Sequence, residues 1–327
     1  MDRKEFIKIG ALGTLTMSFS PLAFSAERKD KKIRFGIITD LHFDIMHDGQ
    51  ERISAFINKM NEDQPDFIIQ LGDFCVPKPE NKSLMDTWNK FKGDKHHVIG
   101  NHDTDGGFNR DQVVEFWDAE AKYYSFDKNG YHFVVLDGNE HNESPNRPKG
   151  YARYISPEQL DWLEKDLNQS SLPTIVFCHQ GLDNEMAGIE NGMPVRYTLE
   201  KANKKAGFQK VILVLSGHHH QDYYNHINDI HYVQINSASY YWLGDKYKTI
   251  RYSKEVDETN PWIKYTAPYK DPLWAMVEIS QKGKISVEGR KTDWVGPSPK
   301  EMKIPETEGI YPVVSKISNR DLKIQKK

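Results

Sequence analysis

Five times along this chain of 327 residues, a short apolar run ends at a cluster of polar side chains able to bind metal. The run 33–39 ends at Asp40, 67–71 at Gly72-Asp73, 97–99 at Gly100-Asn101-His102, 174–178 at His179, and 211–215 at Ser216-Gly217-His218. Apolar runs of this length, closed by turn formers, read as buried strands. Between them lie amphipathic segments of helical length at 52–60, at 157–167 with Ser156 as N-cap, and at 196–206. Alternating strands and helices predict an α/β fold, in which ligands sit beyond the carboxyl ends of the strands. That rule brings the polar clusters together although they lie far apart in the chain.

Hydrophobic residues make up 38% of the chain, enough for a core, while 28% charged residues exclude a polytopic membrane protein. A formal net charge of -3 gives no basic field of the kind that captures phosphate backbones, so no nucleic-acid partner is expected. Two cysteines, Cys75 and Cys178, make no disulfide framework and read as small buried hydrophobes. Residues 1–25 read as an export signal: Arg3, Lys4 and Lys8 precede an apolar run that closes on Ala23-Phe24-Ser25, and the mature chain would start near Ala26. Residues 2–8 also resemble a twin-arginine signal, with Lys4 where the second arginine belongs. The expectation is an exported protein, periplasmic or secreted, with no stable membrane insertion.

Asp40-Leu41-His42 puts a carboxylate and an imidazole on one face of a strand end, which suits chelation, although alone such a pair usually marks a surface turn. Gly72-Asp73 is weaker. In Gly100-Asn101-His102-Asp103 a glycine allows a sharp turn before an amide, an imidazole and a carboxylate. Gly217-His218-His219-His220 is the strongest signal, because adjacent imidazoles behind a buried strand repel unless neutral or metal-bound. His179 alone would read as a core histidine beside Cys178; the four other motifs reverse that reading.

In this order the motifs resemble the calcineurin-like metallophosphoesterase family over 33–294, and most of all its branch of cyclic-nucleotide phosphodiesterases and nucleotide diphosphatases. The resemblance implies a four-layer α/β/β/α sandwich with two metals at one end. It implies that Asp40, His42, Asp73 and His220 hold one metal and Asp73, Asn101, His179 and His218 the other, Asp73 bridging. The donor chemistry agrees: carboxylate, amide and imidazole suit two divalent or trivalent transition-metal ions, Mn, Fe or Zn, and not thiolate-held zinc. The nucleophile is then hydroxide. His102 would contact a phosphoryl oxygen or protonate the leaving alkoxide, Asp103 would fix its tautomer, and His219 is the variable middle position.

The expected activity is hydrolysis of a small phosphate ester, with a nucleotide-like diester or diphosphate preferred. Competing readings are a broad phosphomonoesterase, a nuclease of the same fold, and a binding module that has lost its chemistry, the last disfavoured by the complete ligand set. His141, Asn142, Tyr240, Tyr241 and Trp242 are candidates for substrate contact; Tyr223, Tyr224 and the other aromatics fit core packing equally, and Asp44, His47 and His141 fit solvated loops. Hairpins are expected around Asn129-Gly130 and Gln281-Lys282-Gly283. The catalytic domain is expected at 32–295, with an irregular surface excursion at 244–272 and a wrapping or frayed tail at 296–327.

Overall fold

Strand β1 (Ile33–Ile38) sends Ile33, Phe35 and Ile37 into one buried cluster and Ile38 into another. Both faces are covered except at Arg34, which is half-buried beside Glu278, so the strand reads as a largely apolar run. The computed structural model describes residues 32–324 apart from 185, 281 and 306–310, so the signal read at 1–25 lies outside the described residues. After β1 come α1 (Gly49–Asp63), β2 (Phe67–Gln70), α2 (Lys82–Trp88), β3 (Asp94–His97) and α3 (Arg110–Trp117). Next are β4 (Tyr124–Lys128), β5 (Tyr131–Leu136), α4 (Pro157–Gln169), β6 (Thr174–Cys178), α5 (Gly192–Ala206) and β7 (Val211–Ser216). The chain continues through β8 (Tyr224–Ile227), β9 (Ile230–Gln234), β10 (Tyr240–Trp242), α6 (Lys254–Thr259), β11 (Thr266–Pro268), β12 (Ala275–Ser280), β13 (Lys284–Glu288) and β14 (Arg320–Lys323).

Two six-stranded mixed sheets result, ordered β14-β13-β12-β1-β2-β3 and β4-β5-β6-β7-β9-β8. Parallel pairing joins β1, β2 and β3 in the first and β5, β6, β7 and β9 in the second. Their inner faces share one core, where Phe35 stacks on Phe67 at 4.8 Å and meets Phe133 and Phe177 edge-on at 5.9 and 5.8 Å. Truncating a phenyl ring so enclosed costs about 3–5 kcal/mol. On the outer face of the first sheet, Ile53, Phe56 and Met60 of α1 and Trp88 of α2 cover Ile38 and Ile68. Leu163 and Leu167 of α4 and Leu199 of α5 cover Val134 and Val176 of the second. The architecture is thus the four-layer α/β/β/α sandwich.

Local signals explain the boundaries. Ser156 caps α4 by accepting from the Gln159 amide, ahead of Pro157 in the first turn. Helix α1 begins earlier than its apolar stripe suggests because its first turn, Gly49-Gln50-Glu51, is polar. Asn129 and Gly130 both take positive φ, 50° and 83°, as a tight hairpin turn requires. The excursion at 244–272 is more regular than its composition suggests: it holds α6 and β11, and β11 pairs with β10. The segment after 296, without periodicity in sequence, supplies β14, whose Leu322 lies opposite Ile285. No helix among the described residues is long and apolar enough to cross a membrane.

Candidate metal centre

Every residue singled out as a ligand sits just past the carboxyl end of a strand: Asp40 and His42 after β1, Asp73 after β2, Asn101 after β3, His179 after β6, His218 and His220 after β7. Five of them, Asp40, His42, Asp73, His218 and His220, have left-handed backbone, with φ between 47° and 73°. For residues with a Cβ this conformation costs on the order of 1–2 kcal/mol each, and such strain concentrates at functional sites. Backbone bonds hold the loops together: the Asp40 amide donates to Gly72 O at 3.0 Å, His42 to Asp73 O at 2.9 Å, and Gly217 to His179 O at 2.9 Å. Gly72 combines a φ of 100° with a position where a Cβ would strike the His179 ring. Gly100 serves close approach instead of the sharp turn expected from sequence, since a Cβ there would fall on the Asp73 amide.

Two groups of potential ligands form, Asp40 with His42 and His220, and Asp73 with His179 and His218; within each, the ligand atoms lie within 4.8 Å of one another. His42 Nε2 is 3.1 Å from His220 Nε2, which in turn is 3.2 Å from Asp40 Oδ1. Asp73 Oδ2 stands between the groups, 3.7 Å from His42 Nε2 and 3.2 Å from His179 Nε2. Asn101 Oδ1, His179 Nε2 and His218 Nδ1 are buried without a hydrogen-bond partner. Buried polar atoms are seldom left unpaired, and these are lone pairs a cation would satisfy. The His179 Nδ1 faces Leu71 O at 2.6 Å, which places its proton there and frees Nε2 as an acceptor. The donor set therefore fits a pair of metal ions.

Electrostatics favour the same occupants. Burial pushes the His42 imidazole down to about 3 and holds His218 well below its ordinary value, so both are neutral, as ligands must be. Burial acts to raise the Asp40 carboxyl, but His220 and His179 beside it outweigh that and hold it below the usual range. His179 differs: burial lowers it, but Asp73 and Asp40 beside it draw it up to about 9, so Nε2 shares a proton with Asp73 that a cation would have to displace.

His102 and Asp103 do not form the pair that their adjacency in sequence implies. The Asp103 carboxylate accepts the amides of Asp73 at 2.9 Å, Phe74 at 2.7 Å, Cys75 at 3.0 Å and Gly100 at 2.7 Å, and so ties the loop after β2 to the loop after β3. The His102 ring is held instead by Asp105, whose Oδ2 is 2.7 Å from Nδ1, with the Tyr151 hydroxyl 2.9 Å from Asp105 Oδ1. Burial lowers the His102 ring, and Asp73 and Asp105 together raise it to about 9.

A cleft of about 920 Å³ opens over these residues. Tyr241 and Trp242 line it; Tyr240 lines it too but is buried against His42 and His220, ring centroids 4.9 and 5.0 Å away. Tyr223 stacks on Tyr311 at 3.9 Å and is not among the lining residues, nor are His141 and Asn142, the latter bonded to Glu190. Asp44 reaches the cleft but is engaged by Lys78, Asn81 and the Val76 amide. Both cysteines are free and buried. Sequence reasoning missed Asp105, Tyr151, Met186 and Trp262 as lining residues. Only Asp105 carried a signal, its position three residues after His102, where the chain leaves helical conformation at a kink.

Solved structures share the fold. A dimetal phosphatase from Danio rerio superposes with a TM-score of 0.58 at 15% identity, covering 81% of this chain and 99% of that one. GAP50, the anchor in the inner membrane complex of Plasmodium, superposes with a TM-score of 0.52 at 17% identity, covering 90% of each chain. No curated protein matches by sequence. Residues 33–222, more than half of the chain, match the calcineurin-like phosphoesterase family, so this chain is a member of that family and an enzyme that hydrolyses phosphate esters.

Proposed function

We propose that the chain is a dinuclear-metal hydrolase of small phosphodiesters or diphosphates, with Asp40, His42, Asp73 and His220 around one ion and Asp73, Asn101, His179 and His218 around the other. The observation that carries the reading is the placement of Asp73 Oδ2 within 3.7 Å of both ligand groups, His42 on one side and His179 on the other. Nitrogen and oxygen donors without thiolate suit Mn, Fe or Zn. When bound, such a pair supplies Lewis acidity toward a phosphoryl oxygen and acidifies a water. The chain's own part is to hold the ester and manage the leaving group. With Nδ1 engaged by Asp105, His102 has Nε2 left to meet a phosphoryl oxygen or donate a proton to the departing alkoxide. A cleft of about 920 Å³ over the ligands supports esters with a sizeable second group over a pocket closed on a terminal phosphate.

The test is turnover by purified protein loaded in turn with Mn, Fe and Zn on phosphomonoesters, phosphodiesters and diphosphates of matched leaving group. Faster hydrolysis of monoesters than of both other classes would overturn the preference. We also propose export directed by residues 1–25; a mature N-terminus near Ala26 is expected on sequencing protein from its native host, and an intact Met1 would refute it.

A further inference from the structure

We propose that the cleft selects esters bearing a single phosphoryl group and a flat, uncharged second substituent, and rejects diphosphates. This rests on the phosphoesterase reading of the metal centre and narrows its substrate. Four large side chains that line the cleft are exposed: Tyr151 at 45%, Met186 at 58%, Trp242 at 44% and Trp262 at 57%. The two indoles share a support, since Tyr265 stands 6.0 Å from Trp242 and 5.6 Å from Trp262 by ring centroid. Rings braced in this way offer apolar area at little cost in conformational entropy, which is how a planar ligand is bound.

Charge in the cleft points the same way. A second phosphate is held by arginine forks or lysine ammonium groups. Among the described lining residues no arginine occurs and the one lysine, Lys78, is engaged by Asp44 at 2.6 Å. The guanidinium of Arg153, on the loop after Tyr151, donates to the Gly188 carbonyl, and Arg110 at the start of α3 pairs with Asp137. The Asp105 carboxylate, 43% exposed in the cleft lining, engages the His102 ring at 2.7 Å. The metal ligands recognise one phosphoryl group; beyond them the described lining offers rings, and its basic groups Lys78 and His102 are already engaged by Asp44 and Asp105, an arrangement that favours one class over the other.

The decisive comparison uses the metal-loaded protein on three p-nitrophenyl esters with one leaving group: methyl phosphate, thymidine phosphate and thymidine diphosphate. The thymidine phosphate ester should exceed the diphosphate at least tenfold in kcat/KM. Trp242→Ala and Trp262→Ala should each lower kcat/KM about fivefold or more for the thymidine ester, through KM, and by less for the methyl ester, whose one ring is the nitrophenyl leaving group. Titration with thymidine 5′-phenylphosphonate should quench indole fluorescence in the wild type and less in each variant. Trp262→Arg, which adds a cation at the rim, should raise turnover of the diphosphate. Equal or faster diphosphate hydrolysis by the wild type, or equal losses on methyl and thymidine esters, overturns this proposal and leaves the metal assignment standing. No turnover of any ester together with no quenching overturns both.

Discussion

Asp105 Oδ2 lies 2.7 Å from Nδ1 of His102, and the same carboxylate receives the Tyr151 hydroxyl through its other oxygen at 2.9 Å. A carboxylate so placed fixes the ring's orientation and keeps a proton on Nδ1, which leaves Nε2 for the substrate. Asp105→Asn should therefore lower kcat about 10- to 100-fold on alkyl esters, with metal content unchanged. The loss should shrink on nitrophenyl esters, whose leaving group needs little help from an acid. Elemental analysis beside leaving-group-dependent kinetics checks this, and uniform losses across leaving groups would assign Asp105 a merely structural role.

Asp103 behaves differently because four amides depend on it. Asp103→Ala would leave the Asp73, Phe74, Cys75 and Gly100 amides without their acceptor in a buried place. Unpaired buried groups cost about 1–3 kcal/mol each, so a loss of at least about 3 kcal/mol is expected. Since those amides also set the backbone around Asp73, metal content should fall too. Denaturant unfolding and elemental analysis give both quantities; a stable variant with full metal and an effect confined to poor leaving groups would restore Asp103 to a role in proton transfer.

What the sequence made legible follows from covalent adjacency. Asp40 and His42, or His218 and His220, stand at strand ends in the chain itself, so the rule about carboxyl ends of strands locates them without knowledge of packing. The buried runs 33–38 and 174–178 likewise announce their strands. Adjacency misleads where a turn separates neighbours: His102 and Asp103 diverge, Asp103 toward the loop after β2, while Asp105, three residues on, returns to the His102 ring. Tyr151 and Trp262 reach the cleft from loops remote in sequence, and only the folded sheets bring them there. The strand at 320–323 escaped notice because an edge strand with a single buried apolar side chain, Leu322, has no pattern to detect.

Away from the metals, His132 on β5 gives a pH prediction. Its Nδ1 is 2.6 Å from Asp127 Oδ1 and its Nε2 2.7 Å from Asp166 Oδ2 on α4. Burial lowers this imidazole, but the two carboxylates prevail and raise it above its ordinary value. A raised folded-state pKa means the stabilisation is complete below the unfolded value of about 6.5 and is lost as pH rises through the folded value. The Tm difference between wild type and His132→Gln should thus be larger at mildly acidic pH than at alkaline pH. If the ion pairs are worth about 1 kcal/mol, the difference should change by roughly 2–4 °C. Comparing the two proteins in the same buffers cancels titration elsewhere, and a pH-independent difference would refute the charged pairing.

Asp73→Asn should be the most damaging single change at the centre, because its Oδ2 is the atom nearest to serving both groups, at 3.2 Å from His179 Nε2 and 3.7 Å from His42 Nε2. An amide keeps the shape but removes the charge that offsets two cations, and it bridges metals poorly. Wild-type protein should carry about two transition-metal ions per chain and lose activity to chelators. The variant should bind fewer ions and lose about a thousandfold in kcat, equivalent to about 4 kcal/mol in the barrier. Asn101→Ala makes the informative control: Asn101 Oδ1 is a buried acceptor without a partner, and its loss should weaken one site while the Asp40, His42 and His220 group keeps its ion. The two variants should therefore differ in residual metal, near one ion for Asn101→Ala and less for Asp73→Asn. Elemental analysis with unchanged circular dichroism separates loss of metal from loss of fold. Full metal content and full turnover in Asp73→Asn would contradict the bridging position, and equal metal loss in both variants would mean that the two groups do not bind independently.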